Sequence, residues 1–244
     1  RGALPVPEAV DLMLEVLEGV AEAHALGIVH RDLKPANVFL AARPGRARVV
    51  KVLDFGISKL APGPGSPIED DLTGTSIMLG SPRYVSPEQA QSSRDVDASS
   101  DLYSLGVVLY EMLDGKCPFG GSTMGEVLGK ILLYKPEAIS GKRGDVPAAL
   151  QAVLDRCMQR DRAQRFADVA ELAFALAPHG TAVAQVRAGR VAGILGTTPE
   201  VVAARAAPAS TATTEAPPPP PADASLGEPA PARRAVPSDA AQTE

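Results

Sequence analysis

Residues 30–37 read His-Arg-Asp-Leu-Lys-Pro-Ala-Asn, a polar run wedged between two short apolar pieces, Ile28-Val29 and Val38-Phe39-Leu40. A loop held by strands on either side can aim several polar side chains at one spot. A further apolar run, Val49 to Leu53, leads into Asp54-Phe55-Gly56, and Arg43-Pro44-Gly45-Arg46 has the turn residues to join the two strands as a hairpin. Two carboxylates, a lysine and an amide are thereby brought towards one place. Asn37 and Asp54 offer the oxygen ligands that a hard cation such as Mg²⁺ prefers.

Around this core the chain reads as helical. Val10, Met13, Leu14, Leu17, Val20 and Ala21 recur at helical spacing within Pro5–Leu26, Pro7 and Glu8 suit the first turn, and Gly27 supplies a stop. Ser99–Leu113 is strongly apolar, which predicts a buried helix, and further helices are expected at 122–134, 147–159 and 166–177. Residues 57–85 carry Gly, Pro, Ser and Thr with little periodicity and read as a long loop, of the kind usually functional or disordered.

Composition shifts towards the end of the chain. The aromatic residues all lie before position 175, and alanine, proline and small polar residues crowd the last fifth, with Pro217–Pro221 in its midst. Such a stretch cannot bury enough apolar surface to fold, so 206–244 is expected to be a disordered linker or tail. Residues 179–205 carry no strong pattern, and a helical extension is the one element they could add. The net charge of −5 argues against a general nucleic-acid binder. Cys117 and Cys157 are too few for a disulfide framework and read as reduced thiols in a cytosolic protein. No apolar run is long enough to cross a membrane, and the start, Arg1-Gly2-Ala3-Leu4-Pro5, has neither a signal-peptide core nor an initiator methionine.

A lone Asp-Phe-Gly is usually an accident and a lone His-Arg-Asp usually a solvated turn. The whole eight-residue run followed by Asp54-Phe55-Gly56 is far more specific, and with it the chain resembles the C-terminal lobe of a bacterial-type serine/threonine protein kinase over roughly Leu4–Leu176. The resemblance implies an α+β, kinase-like fold. Residues 1–178 would be a mostly helical C-lobe, a partial kinase domain, with a small β-hairpin at the cleft. It also implies ATP and Mg²⁺ as cofactors and protein substrates with serine or threonine acceptors. Asp32 would orient the attacking hydroxyl and accept its proton. Lys34, whose position matches serine/threonine rather than tyrosine kinases, would neutralise the transferred phosphate. Asn37 and Asp54 would hold the metal, and Phe39 would floor the adenine pocket.

The resemblance extends to supporting positions. His30 and Phe55 match residues that stack inside an active lobe, with Gly56 completing the motif, though core packing alone would also account for them. Ser86-Pro87-Glu88 stands where the family usually writes Ala-Pro-Glu, and Glu88 is expected to pair with Arg165. Asp101 matches an aspartate that accepts hydrogen bonds from the catalytic-loop backbone. Ser81, after Gly80, replaces the usual threonine and would bridge Asp32 and Lys34. Thr73 and Thr75 lie where bacterial relatives are phosphorylated, and a phosphate there would add roughly −1.5 to −2 charges and could pair with Arg31. Otherwise they are ordinary loop threonines. His24 reads as an ordinary helix residue, His179 as a surface one, and Cys117-Pro118-Phe119 as a packing turn.

Only 29 residues precede His30, and within this sequence neither a Gly-x-Gly-x-x-Gly followed by valine nor a Val-Ala-Ile-Lys-like strand is found. Three readings follow. The preferred one is part of a kinase whose missing N-lobe belongs to the same chain, with a homodimer of the parent as a further partner. The second is a lobe that serves as a protein-binding module without efficient catalysis. The third is a scaffold whose proline-rich tail recruits partners, and the intact Asp32, Lys34, Asn37 and Asp54 argue against both alternatives. A cytoplasmic location is expected, as an independent protein or as the cytosolic part of a membrane-anchored parent.

Overall fold

The computed structural model describes residues 2–43, 45–55, 82–91 and 96–206. Helix α1, Val6–Ala25, begins after Pro5 and carries Pro7 and Glu8 in its first turn, where an N–H is dispensable and a negative charge is favoured. One face buries Val10, Met13, Leu14, Leu17 and Val20. Gly27 ends it at φ 72°, where its N–H and that of Ile28 take up the carbonyls of His24 and Ala23 at 2.9 Å each.

Strands β1 (Val38–Arg43) and β2 (Arg46–Val52) form the hairpin that the turn residues predict. They pair antiparallel, Val38 opposite Val52 and Leu40 opposite Val50, with an irregularity between Ala41 and Arg43. β2 lies against α1, close enough that a Cβ on Gly19 would stand 3.2 Å from Val52 Cγ2.

The centre of the lobe is α3, Ala98–Asp114, capped by Asp97, which accepts from Ser99 N, and stopped by Gly115 at φ 78°. Leu102, Leu105, Leu109 and Leu113 are fully buried, as the apolar pattern predicts. Helices α1 and α5 (Ala148–Cys157) pack against it, while α6 (Val169–Leu176) packs on α1 and α5 and α4 (Met124–Leu133) lies against the turn at Pro82–Tyr84. α3 and α5 approach so closely at Gly106 that a Cβ there would lie 2.5 Å from Cys157 Cβ. α4, α5 and α6 each lie within the expected range and are trimmed at the ends, because the flanking residues form caps and turns. α3 runs one residue past its expected range at each end.

Three features differ from the sequence expectation: Ile28-Val29, the apolar piece expected as a strand before the polar loop, forms no strand, and two more stand at the end of the segment read as a loop and just after it. The end of the segment read as a loop contains a 3₁₀ turn at Pro82–Tyr84. A short helix, α2, follows at Pro87–Gln91. Ser86 caps it reciprocally with Gln89: Gln89 N donates to Ser86 Oγ at 3.3 Å, and Ser86 N to Gln89 Oε1 at 3.0 Å. Beyond α6, where a helical extension is the one element expected, Ala184–Ile194 and Pro199–Ala206 are two helices, α7 and α8. α7 has a weak pattern because it buries small residues, Ala184, Ala188, Val191 and Ala192, against α1 and α6. Of the expected disordered tail, 206–244, Ala206 instead ends α8, and residues 207–244 lie outside the described residues.

Candidate active site

Hairpin geometry brings the two halves of the polar constellation together. Asn37 immediately precedes β1 and Leu53 immediately follows β2, so pairing Val38 with Val52 closes the ends on one another. Leu53 N donates to the Asn37 carbonyl at 2.8 Å, and Asp54 is the next residue. Within the loop, Lys34 Nζ donates to Asp32 Oδ2 at 2.7 Å. Asn37 Nδ2 donates to the Asp32 carbonyl at 2.8 Å and to Asp32 Oδ2 at 3.2 Å. Asn37 is buried, so its amide is fixed with Nδ2 on Asp32, and its oxygen is the atom left for a cation.

Two residues of the constellation hold left-handed backbone, Arg31 at φ 66° and Asp54 at φ 54°. For a long side chain such as arginine that conformation is strained and needs support from its surroundings. The support is Asp101, buried in the first turn of α3. Its Oδ2 accepts from His30 N at 2.8 Å and its Oδ1 from Arg31 N at 2.9 Å. His24 Nε2, from the last turn of α1, also donates to Oδ2 at 2.8 Å. His24 is therefore not the ordinary helix residue its sequence context predicts. On the other side, Gln89 Nε2 donates to the Arg31 carbonyl at 2.8 Å.

His30 is fully buried and ties the loop to the end of the hairpin. Its Nδ1 accepts from Asp32 N at 3.3 Å while its Nε2 donates to the Leu53 carbonyl at 3.0 Å, which fixes the neutral tautomer with hydrogen on Nε2. Its ring meets Phe55 at 4.7 Å between centroids. Phe39 and Leu53, by contrast, are 55% and 38% exposed, an apolar face open beside the polar loop.

Glu88 and Arg165 form a bidentate pair at 2.7 and 2.8 Å. Arg165 uses all five of its donors: two on Glu88 and one each on the carbonyls of Ser99, Gln159 and Arg160. Ser100 Oγ adds a bond to Glu88 at 2.6 Å. Burial alone would raise the Glu88 pKa, but Arg165 and Ser100 outweigh it and hold the carboxyl down at about 2. Burial pushes the Cys157 thiol up to about 12 and Cys117 up to about 11, so both stay protonated and inert. Phe119, buried, stacks on Tyr103.

Gly56, Thr73, Thr75 and Ser81 lie outside the described residues. Arg31 is described, and its Nε is buried with no hydrogen-bond partner. Sequence reasoning missed His24 and Gln89. Gln89 carries a signal, the Ser-x-x-Gln spacing of a capping box. His24 carries none, since its partner is 77 positions away. Among the described residues no cluster of three or more His, Cys, Asp or Glu could hold a metal by itself. A cation here would have two protein oxygens, from Asn37 and Asp54, with phosphate and water completing its shell, as Mg²⁺ accepts. No described helix is long and apolar enough to cross a membrane.

A helical lobe that presents His30-Arg31-Asp32 and Asp54-Phe55 at the two ends of one hairpin defines a class of phosphotransferases. The chain belongs to the protein kinase family: residues 1–175 match the family described as protein kinase domain. It is 41% identical over 174 residues to the serine/threonine-protein kinase Pkn1 of Myxococcus xanthus, covering 70% of this chain and 24% of that protein. The serine/threonine-protein kinase drp72 of Corynebacterium efficiens is 39% identical over 176 residues, 72% of this chain and 31% of the relative. For PknB of Mycobacterium tuberculosis the identity is 34% over 172 residues, 70% of this chain and 26% of the relative. The chain thus spans about a quarter to a third of the length of the curated relatives it matches.

Proposed function

We propose that this chain supplies the catalytic lobe of a serine/threonine protein kinase, transferring the γ-phosphate of ATP to a protein hydroxyl. The observation that carries the reading is the fixed Asp32 carboxylate, gripped at Oδ2 by Lys34 at 2.7 Å and Asn37 at 3.2 Å. Asp32 takes the proton of the attacking hydroxyl. The hydroxyl oxygen then bonds to the γ-phosphorus as its bond to the bridging oxygen breaks, and ADP leaves. Lys34, anchored on the base, neutralises charge on the phosphoryl oxygens in flight. Asn37 and Asp54 hold Mg²⁺, which when bound screens the phosphate charge.

Phe39 floors the adenine pocket. Its exposed face, with Leu53, receives the N-lobe and the nucleotide between them. Ser81 bridges Asp32 and Lys34. Phosphate on Thr73 or Thr75 pairs with Arg31. Glu88 and Arg165 hold the peptide-binding segment, and His30, Phe55, Gly56 and Asp101 keep the loop in place. In this reading residues 1–178 are the kinase portion, 179–206 an added helical part and 207–244 a linker. The protein acts in the cytoplasm, free or as the cytosolic part of an anchored parent that dimerises.

Joined to a kinase N-lobe with its glycine-rich loop and strand lysine, the chain is expected to label a protein substrate from radioactive ATP. Asp32→Ala should lower that rate by roughly two to four orders of magnitude with the circular dichroism unchanged. The 244-residue chain alone should transfer little, because a nucleotide would rest on an open face. Full activity in the Asp32→Ala protein would sink the assignment.

A further inference from the structure

The acidic residues Asp11, Glu15 and Glu18 of α1 fall on one helical face, and each is met from the region past the kinase match. Thr181 donates through N and Oγ1 to the two carboxylate oxygens of Asp11 at 3.0 and 2.6 Å. Arg187 Nη2 stands 2.7 Å from Glu15 Oε1, and its Nη1 stands 3.4 Å from Glu18 Oε1. Its Nε is buried without a hydrogen-bond partner, so the guanidinium is engaged by its two outer nitrogens. The other oxygen of Glu15, Oε2, accepts from Val50 N of β2 at 3.3 Å. One carboxylate therefore links α7 on one side to the hairpin on the other. Four residues beyond Val50 stands Asp54.

We propose that Arg187 and Glu15 form a positioning couple, through which the helical segment after the kinase match sets β2 and with it the approach of Asp54. The role assigned to Asp54 rests on the function proposed above; the mechanical link does not. With Arg187 present, Glu15 and Glu18 share one cation, and Glu15 is held where its second oxygen meets the strand. Without it, two half-buried carboxylates three residues apart repel one another, and Glu15 turns to water and releases Val50. These are positioning residues. They touch neither substrate nor metal.

The test is amide hydrogen exchange followed by NMR on the whole 244-residue chain. Arg187→Ala should speed exchange at Val50 by roughly ten- to a hundredfold, the effect of losing one hydrogen bond to a charged group, while Leu105 and Leu109 in α3 keep their rates. Arg187→Lys should restore most of the protection. In a Glu15→Ala background, Arg187→Ala should leave Val50 unmoved, because the link is already cut. An unchanged Val50 in Arg187→Ala overturns the couple, as does equal acceleration of Val50, Leu105 and Leu109, which would mean general destabilisation. A further acceleration in the Glu15→Ala background overturns it too. Since the readout is an amide and not phosphate transfer, failure here leaves the kinase reading to its own test, the Asp32→Ala protein.

Discussion

Two buried carboxylates meet the first turn of α3 and are satisfied in opposite ways. Asp101 accepts two consecutive backbone N–H groups and one imidazole. Glu88 accepts a guanidinium and a hydroxyl. The first arrangement fixes shape: two adjacent amides on one carboxylate determine the path of His30 and Arg31, including the left-handed turn at Arg31. The second ties distant parts of the chain, residues 88 and 165, through a charge pair that does not prescribe backbone torsions. One carboxylate acts on local geometry and the other on assembly, and substitutions should separate these roles.

The largest effect is expected at Glu88. Glu88→Ala leaves Arg165 buried, fully covered and without its counter-charge, which should destabilise the chain by about 3–5 kcal/mol. Replacing both partners with apolar residues, Glu88→Leu with Arg165→Met, should cost much less. A urea-unfolding double-mutant cycle measures the difference, and equal losses in the single and double variants would break the contrast.

Acid should expose the same pair. Since the folded Glu88 pKa lies near 2 against an ordinary 4.5, its contribution is fully present above about pH 4.5 and drains away as pH falls towards 2. The shift corresponds to roughly 3 kcal/mol at neutral pH. Glu88→Gln should flatten that part of the stability–pH curve, and an unchanged slope would show that other carboxylates set it.

The smallest effect on stability, and the most local, is expected at Asp101. Asp101→Asn keeps the shape but puts an NH₂ where one oxygen accepted, setting donor against donor, at about 1–3 kcal/mol. Exchange at the His30 and Arg31 amides should accelerate more than elsewhere in the lobe, and transfer by the lobe joined to an N-lobe should fall. Uniform acceleration across α3 would make Asp101 a general stabiliser like Glu88.

Much of this was legible in the sequence wherever the signal is local. The apolar period of α1, the turn residues of the hairpin and the buried run of α3 each depend on neighbours a few residues apart. Asn37 and Asp54 could be placed together because a hairpin closes on its own ends. Glu88 and Arg165 were reached through family resemblance alone, since nothing in their spacing announces a contact. His24 was out of reach because its meaning lies in Asp101, across the core. α7 was faint for another reason: alanines bury little surface each, so a helix held by close approach and by Thr181 and Arg187 leaves only a shallow hydrophobic period.

Helix α1 serves both ends of the site, Glu15 towards the hairpin and His24 towards Asp101. Nine positions separate them, about two and a half turns, so the two residues point to opposite sides of the rod. The helix works as a phase reference, like the offset between two cams on one shaft. Adding or removing a single residue between Glu15 and His24 would turn one relative to the other by about 100°. No length change short of nearly a full turn would keep both strand and loop in time.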